Sequence, residues 1–161
     1  MTIRHPQCRA AARGLVIASM LAAFAMGAPR AGAADAAAWA KARPLIEAAL
    51  TCASIDKFKQ AEGTLASAGW NASQGTDPVT LPVPLKVFGF DTLRIAVAND
   101  SGEQVYRAFL PGITVAQLAK AAKLKPGKDG QHYSRATKLG VLSAGTEEGV
   151  TALTCTIDTE G

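Results

Sequence analysis

The chain contains few side chains of the kinds that catalyse reactions. Its histidines are His5, near the N-terminus, and His132, which lies two residues before Ser134. Residues two apart on a strand share a face, but the sequence offers no acidic third member for a triad built on His132 and Ser134. Zinc sites use several His or Cys ligands, which this sequence does not supply. The adjacent Glu147 and Glu148 are candidates for paired catalytic carboxylates, but they fall in a turn where solvated carboxylates are expected. The sequence therefore predicts a protein that is not an enzyme, with no catalytic residue, no metal site and no cofactor.

A binding role remains, and the segment Phe88-Gly89-Phe90-Asp91 is the candidate binding site. Apolar and polar residues alternate on both sides of this segment. The alternation breaks within it, because Gly89 and Asp91 stand at the alternate positions that are apolar before the segment, at Val87, and after it, at Leu93. If the chain turns at Gly89, Phe88 and Phe90 are displayed at a hairpin tip as rigid interface anchors. Alternatively, both phenylalanines fill the core on the other face of the sheet, which is the more frequent fate of aromatic side chains.

The segment Pro84–Gly89 also resembles a loop motif of a known class of proteins. Small exported inhibitors of peptidoglycan hydrolases, including periplasmic immunity proteins against lysozyme-like toxins, carry a GxxxFG loop that plugs the enzyme's cleft. Phe88 and Gly89 match the last two positions of this motif, and Pro84 stands in place of its first glycine. The resemblance implies that Phe88 and Gly89 enter the active site of a partner enzyme.

The first 33 residues have the pattern of a bacterial signal peptide. Arg4, Arg9 and Arg13 precede the apolar run Gly14–Met26, and Ala31-Gly32-Ala33 offers a small-residue cleavage site. The apolar run is shorter than a comfortable membrane span. The sequence therefore predicts a cleaved signal peptide over 1–33 and one domain over 34–161, which is periplasmic or secreted and not membrane-spanning after cleavage.

The basic charge of the chain belongs largely to this N-terminal segment. The sequence carries 17 Lys and Arg against 13 Asp and Glu, and four of the arginines lie within 1–33. A mature domain near neutrality gives no indication of a nucleic-acid partner. A basic bias survives over 120–138, where a solvated helix and loop surface is favoured over an anion-binding patch. The cations of this segment, with Asp129 as their acidic neighbour, are Lys120, Lys123, Lys125, Lys128, Arg135 and Lys138.

Two cysteines remain when Cys8 is removed with the signal peptide. Cys52 and Cys155 form an even pair in an exported, oxidising setting, which predicts a disulfide bond between them. Two buried free thiols are the alternative. A disulfide would tie an early helix to the last strand across most of the mature chain.

Three helices are predicted from apolar spacing. The first covers 34–53, and Pro44 leaves two alternatives: a kink, or a main helix that begins at Pro44. The second covers about 57–67, with Asp56 or Ser54 as its cap. The third follows Gly112, and the segment Thr114–Gln117 at its start fits a capping box.

Alternating residues predict the strands of an antiparallel sheet. Strands are expected over 81–87, in a hairpin over 92–110, and over 133–143 and 150–158. Because proline cannot donate a ladder hydrogen bond, Pro82 and Pro84 predict that the first of them lies at a sheet edge or starts late. Leu93, Ile95 and Val97 are expected on the buried face. The fold class is therefore α+β, with an antiparallel sheet of four to five strands covered on one face by two to three helices.

These expectations combine into a hypothesis about function. The chain is expected to be an exported periplasmic binding protein, an inhibitor or immunity factor for a cell-wall-targeting hydrolase. Its partner is then another exported protein, with a peptidoglycan hydrolase as the leading class. The alternatives are a non-enzymatic structural or assembly factor of the cell envelope, and a small-ligand carrier.

Overall fold

A seven-stranded antiparallel sheet organises the computed structural model, which describes residues 33–73, 77–100, 102–128, 130 and 132–159. In chain order its strands are β1 (Val79–Val87), β2 (Phe90–Asp100), β3 (Glu103–Leu110), β4 (Lys125–Pro126), β5 (Tyr133–Ala136), β6 (Val141–Glu147) and β7 (Val150–Asp158). They lie side by side in the order β1-β2-β3-β7-β6-β5-β4. The described ranges also contain three helices, α1 (Ala33–Leu50), α2 (Lys59–Ser67) and α3 (Val115–Ala122). The α+β class is confirmed, but the prediction of four to five strands is too low.

The additional strands come from the region between α3 and β7. The predicted continuous strand over 133–143 is broken into β5 and β6, because the chain turns between Thr137 and Gly140. The Thr137 N–H donates to the Gly140 carbonyl oxygen at 2.7 Å across this turn. Gly140 passes so close to β7 that a Cβ added to it would overlap the carbonyl oxygen of Thr156. The two-residue strand β4 pairs with β5, in a place where the sequence indicates a loop.

The strand β1 lies at an edge of the sheet, as Pro82 and Pro84 predict. Its pairing with β2 shifts between Thr80 and Leu85, so that the intervening stretch of β1 lies opposite Leu93 alone. The shift moves Leu93 out of the phase of the buried residues, and its side chain is 48% exposed. The expectation that Leu93 is buried is therefore wrong, and alternation fails where the register shifts.

The first helix, α1, contains Pro44 at an exposed position and continues on both sides of it. The alternative in which the main helix begins at Pro44 is therefore wrong. The helix is closed by two hydrogen bonds, from the Cys52 N–H to Ala49 and from the Ala53 N–H to Ala48. This pairing is that of a Schellman motif, and Cys52 takes the left-handed position that glycine usually fills, with φ at 53°.

The other two helices differ in how they begin. Phe58 stands at the N-cap of α2 and provides no side-chain hydrogen bond, so the predicted caps Asp56 and Ser54 are wrong. At α3 the predicted capping box is confirmed. The Gln117 N–H donates to the Thr114 hydroxyl at 3.2 Å, and the Thr114 N–H donates to the Gln117 side chain at 2.8 Å.

One hydrophobic core joins the three helices to a single face of the sheet. Ile46, Leu65 and Leu118, one from each helix, are fully buried in the same cluster as Ile95 and Leu153 of the sheet. Burial of each such side chain stabilises the fold by about 1.5–3 kcal/mol. The helices are therefore held in place mainly by packing against the sheet.

A disulfide bond between Cys52 and Cys155 confirms the predicted pairing. It links the residue just beyond the end of α1 to the middle of β7, with the two Cα atoms 5.4 Å apart. Both cysteines are buried within the core cluster. Such a bond is in keeping with the oxidising compartment that an exported protein reaches.

The predicted signal peptide, apart from Ala33, lies outside the described residues. The described residues all belong to one compact unit, Ala31–Gly161. Within this described part of the chain, no helix has both the length and the apolar character that a bilayer crossing requires.

Candidate functional site

A two-residue turn joins β1 to β2 and brings the predicted binding segment to the end of a hairpin. Phe88 and Gly89 are its central residues, with φ at 49° and 89°, and Val87 pairs with Phe90 directly before and after them. Positive φ at both central residues is the mark of a type I′ turn, which follows the twist of a hairpin and is favoured by Asn-Gly sequences. The turn therefore occurs where Gly89 indicates it. Phenylalanine at the first position is an unfavourable choice for the backbone alone.

Phe88 and Phe90 are both half-buried. Each packs in part against the core cluster and keeps part of its surface accessible. Neither of the two sequence interpretations, full display at a hairpin tip or full burial in the core, describes them. Both rings are therefore held by contacts with the core and still present part of an aromatic surface to solvent.

Asp91 lies directly across the hairpin from Lys86. Its carboxylate accepts from the Lys86 ammonium at 2.7 Å, and both side chains are more than half exposed. Exposed pairs of this kind contribute little to stability. The negative charge of Asp91 is thus balanced next to the turn.

A groove of about 600 Å³ lies beside the hairpin end. Its walls come from the end of α1, from the turn of the hairpin, and from β5 with the turn that follows it. The lining residues are Thr51, Cys52, Ala53, Phe88, Arg135, Ala136, Thr137 and Lys138. The turn that follows β1 and the strand β5 both line this groove, although β1 and β5 are far apart in the strand order. The sheet must therefore curl toward the end of α1.

The charge that lines this groove is positive. Arg135 and Lys138 contribute cations, and none of the lining residues is acidic. The hydroxyl groups of Thr51 and Thr137 already donate to backbone carbonyl oxygens, that of Glu47 at 2.7 Å and that of Gly140 at 3.0 Å. The groove can therefore offer an anion its two cations and the aromatic ring of Phe88.

Sequence reasoning missed most of this groove. Thr51 and Thr137 carry no signal that marks them as site residues. Arg135 and Lys138 lie in the basic segment for which the sequence favours a solvated surface, and the excess of cations in that segment is the signal that points to them. Their proximity to Phe88 depends on the curl of the sheet, which local patterns do not encode.

The residues considered for catalysis are His132, Ser134, Glu147 and Glu148. Within the described ranges, no three His, Cys, Asp or Glu side chains lie close enough together to hold a metal ion. Glu147 and Glu148 form ion pairs with Arg107 at 2.9 Å and with Arg94 at 2.7 Å. Their predicted role as simply solvated carboxylates is therefore incomplete.

The Tyr106 hydroxyl is buried and has no hydrogen-bond partner among the described residues. Its ring packs edge-on against Phe58, with 4.8 Å between the ring centres. Burial, with a smaller contribution from the negative charge of Glu62, raises the pKa of Tyr106 well above its ordinary value near 10. The hydroxyl therefore keeps its proton at physiological pH.

No protein-family model matches the chain, and no match was found among curated proteins or solved structures.

Proposed function

We propose that this chain is an exported binding protein, and that it inhibits or neutralises a peptidoglycan hydrolase through the end of the β1–β2 hairpin. Phe88, Gly89, Phe90 and Asp91 form the proposed contact surface, together with the adjacent groove. The disulfide and the sequence of the first 33 residues support export to the periplasm. The similarity of the segment ending in Phe88-Gly89 to the GxxxFG loop supports a hydrolase as the partner.

The observation that carries this proposal is the position of Phe88. A left-handed conformation costs a residue other than glycine roughly 1–2 kcal/mol, and Asn would fill this turn position with less strain. Phe88 is only half-buried, so its packing recovers part of a full aromatic contribution. A ring held by a strained backbone at an accessible hairpin end has the properties of an interface anchor.

The chain offers a matched control for this residue. Glu148 and Gly149 connect β6 to β7 through a turn whose two central residues also have positive φ, at 49° and 78°. Asn suits both turns, so Phe88→Asn and Glu148→Asn make the same backbone change at two hairpin ends. Glu148→Asn also removes an exposed ion pair with Arg94, which is worth little.

The experiment is affinity capture from a periplasmic extract with the wild-type chain and these two variants as bait. Captured hydrolase is then assayed by lysis of peptidoglycan. We expect the wild type and Glu148→Asn to recover and inhibit a hydrolase, and Phe88→Asn to lose both effects while unfolding at a free energy within about 1 kcal/mol of the wild type. Equal recovery by Phe88→Asn would refute the contact surface, and recovery of no hydrolase by any bait would refute the partner class.

The groove supports a second candidate, a small-ligand carrier. A volume of about 600 Å³ lies within the range of pockets that hold small molecules. Thermal-shift measurements with periplasmic metabolites test this function. A stabilising metabolite combined with no captured hydrolase would favour the carrier over the inhibitor.

A structural or assembly factor of the envelope is the third candidate, and the edge strand β1 gives it little support as a docking edge. Pro82 and Pro84 have no N–H to offer an added strand, and the Lys86 N–H donates to the Glu47 carboxylate at 2.7 Å. Strand addition requires free N–H and C=O groups at the edge. If capture recovers envelope machinery instead of a hydrolase, this candidate replaces the inhibitor.

A further inference from the structure

Arg135 differs from the other described arginines in its partner. Arg43, Arg94 and Arg107 each pair with a carboxylate, at 3.8, 2.7 and 2.9 Å. Within the described residues Arg135 has no carboxylate partner. Its Nε donates instead to the carbonyl oxygen of Ala122, at the end of α3, at 3.0 Å.

This hydrogen bond orients a cation without neutralising it. The carbonyl at a helix C-terminus lacks a partner within the helix, and a basic side chain is a favourable donor to it. With Nε held, the two terminal nitrogens of the guanidinium keep their four N–H donors in a plane. The side chain is half-buried and lines the groove. Because it is already held in place, binding of a ligand loses less side-chain entropy than it would with a free arginine.

Lys138 adds a second cation at the same groove, three residues beyond Arg135. The chain turns between β5 and β6 next to it, and the Thr137 hydroxyl fixes this turn by accepting from the N–H groups of Leu139 and Gly140 at 3.2 and 3.1 Å. A planar fork, a point charge and the ring of Phe88 thus surround one concave space. Carboxylates are the organic anions whose two oxygens match a guanidinium fork.

We propose that this groove binds a carboxylate, which contacts Arg135 and Lys138 while the apolar part of the ligand contacts Phe88. The inference deepens the proposed function, on which it rests, by naming the chemistry that the hairpin end recognises in its partner. The carboxylate belongs either to an acidic side chain or to a peptide terminus. The solvated-surface interpretation of the basic segment does not hold for these two cations if the proposal is correct.

The experiment uses the full chain, isotopically labelled, and follows its backbone amides and the Arg135 Nε–H by nuclear magnetic resonance. The probes are acetyl-alanyl-alanine with a free terminal carboxylate, acetyl-aspartic acid amide with a side-chain carboxylate, and acetyl-alanyl-alanine amide with none. We expect saturable shifts of Phe88, Arg135 and Lys138 with one or both carboxylates, and none with the amide. The carboxylate that binds more tightly identifies the source. Equal binding of the amide, or no saturable shift with any probe, would overturn the proposal.

Three variants test the roles of the cations. Arg135→Lys keeps the charge but removes the fork, and Lys138→Gln removes one charge from the groove. Lys120→Gln removes one charge from the exposed side of α3 and serves as the control. We expect Arg135→Lys to weaken carboxylate binding about tenfold, since lysine cannot make the bidentate pair of charge-assisted hydrogen bonds. Lys138→Gln should also weaken binding, and Lys120→Gln should leave it unchanged.

The control separates a specific site from general attraction of anions. If Lys120→Gln weakens binding as much as Lys138→Gln, the effect is one of net charge and the proposal fails. Lys138 makes no hydrogen bond or ion pair with its side chain within the described residues, so its variant remains informative if Arg135→Lys lowers the melting temperature.

The outcome also separates this inference from the proposed function. If Phe88→Asn loses the hydrolase while Arg135→Lys and Lys138→Gln bind carboxylate normally, the inference is wrong and the proposed function stands. If carboxylate binding follows the expected pattern but no hydrolase is captured, the proposed partner is wrong and the groove remains a carboxylate site.

Discussion

Cys52 affects the stability of the fold in two ways, through its disulfide bond and through its left-handed backbone conformation, and variants without the bond should separate the two. The bond closes a segment with a sequence separation of 103 residues. For a loop of about 100 residues, chain-entropy estimates put the stabilisation at about 4.7 kcal/mol, and residual structure in the unfolded chain lowers it. We therefore expect the double variant Cys52→Ala with Cys155→Ala to lose about 2–4 kcal/mol of its free energy of unfolding.

The second term is the backbone conformation of Cys52. Its φ of 53° places it in the left-handed position that ends α1. Glycine adopts this conformation without strain, which should raise the free energy of unfolding by roughly 1–2 kcal/mol. The greater freedom of glycine in the unfolded chain should lower it by about 0.4–1 kcal/mol. In the Cys155→Ala background, Cys52→Gly should therefore be more stable than Cys52→Ala by about 0.5–1 kcal/mol.

Urea denaturation of residues 34–161, which also lack Cys8, measures both terms. The signals are far-ultraviolet circular dichroism and the fluorescence of Trp39, which is buried in the core cluster, and of Trp70, which packs against it. Ala66→Gly in α2 is the control, because an exposed helical glycine costs about 1 kcal/mol and so has the opposite sign. If Cys52→Gly is no more stable than Cys52→Ala, the backbone leaves the left-handed conformation once the disulfide is gone. A loss well above about 5 kcal/mol for the double alanine variant would refute the entropic account.

Two further predictions concern the core and the glycines. Tyr106→Phe should raise the free energy of unfolding by about 1 kcal/mol or more, because it removes a buried hydroxyl without a partner among the described residues. Because burial raises the pKa of Tyr106, the folded state holds the hydroxyl proton more tightly than the unfolded state does. The free energy of unfolding of the wild type should therefore fall as pH rises above about 10, and that of Tyr106→Phe should fall less. Urea titrations at pH 8 and pH 10.5 measure both effects, and parallel losses in the two proteins would contradict this reasoning. Gly140→Ala should lower the melting temperature because its Cβ would overlap the β7 backbone, whereas Gly63→Ala, in open space within α2, should raise it. Differential scanning calorimetry compares the pair, and a change of the same sign in both would contradict the explanation.

Local sequence rules predicted well wherever the structure depends on neighbouring residues. The capping box at Thr114 and Gln117 forms because its two hydrogen bonds join residues three apart. Pro82 and Pro84 place β1 at an edge because proline lacks a donor wherever it lies. These features were accessible without the fold.

Local rules failed where a distant strand sets the geometry. Leu93 is exposed because the pairing with β1 shifts opposite it, and no pattern within β2 reports that shift. The strand predicted over 133–143 divides at Gly140, where contact with the β7 backbone decides the turn. Phe88 and Phe90 take an intermediate burial that neither sequence interpretation contained.

The sequence by itself determined the α+β class and the edge position of β1, because both follow from residue type and spacing, and it predicted the pairing of Cys52 with Cys155 that the structure contains. Only the tertiary structure decided that the end of α1, the turn at Phe88 and the cations Arg135 and Lys138 surround one groove. Those residues are separated by up to 87 positions in the chain. They meet because the sheet curls and brings strands from opposite parts of its order together, and a curl is a property of the whole sheet that no single segment encodes.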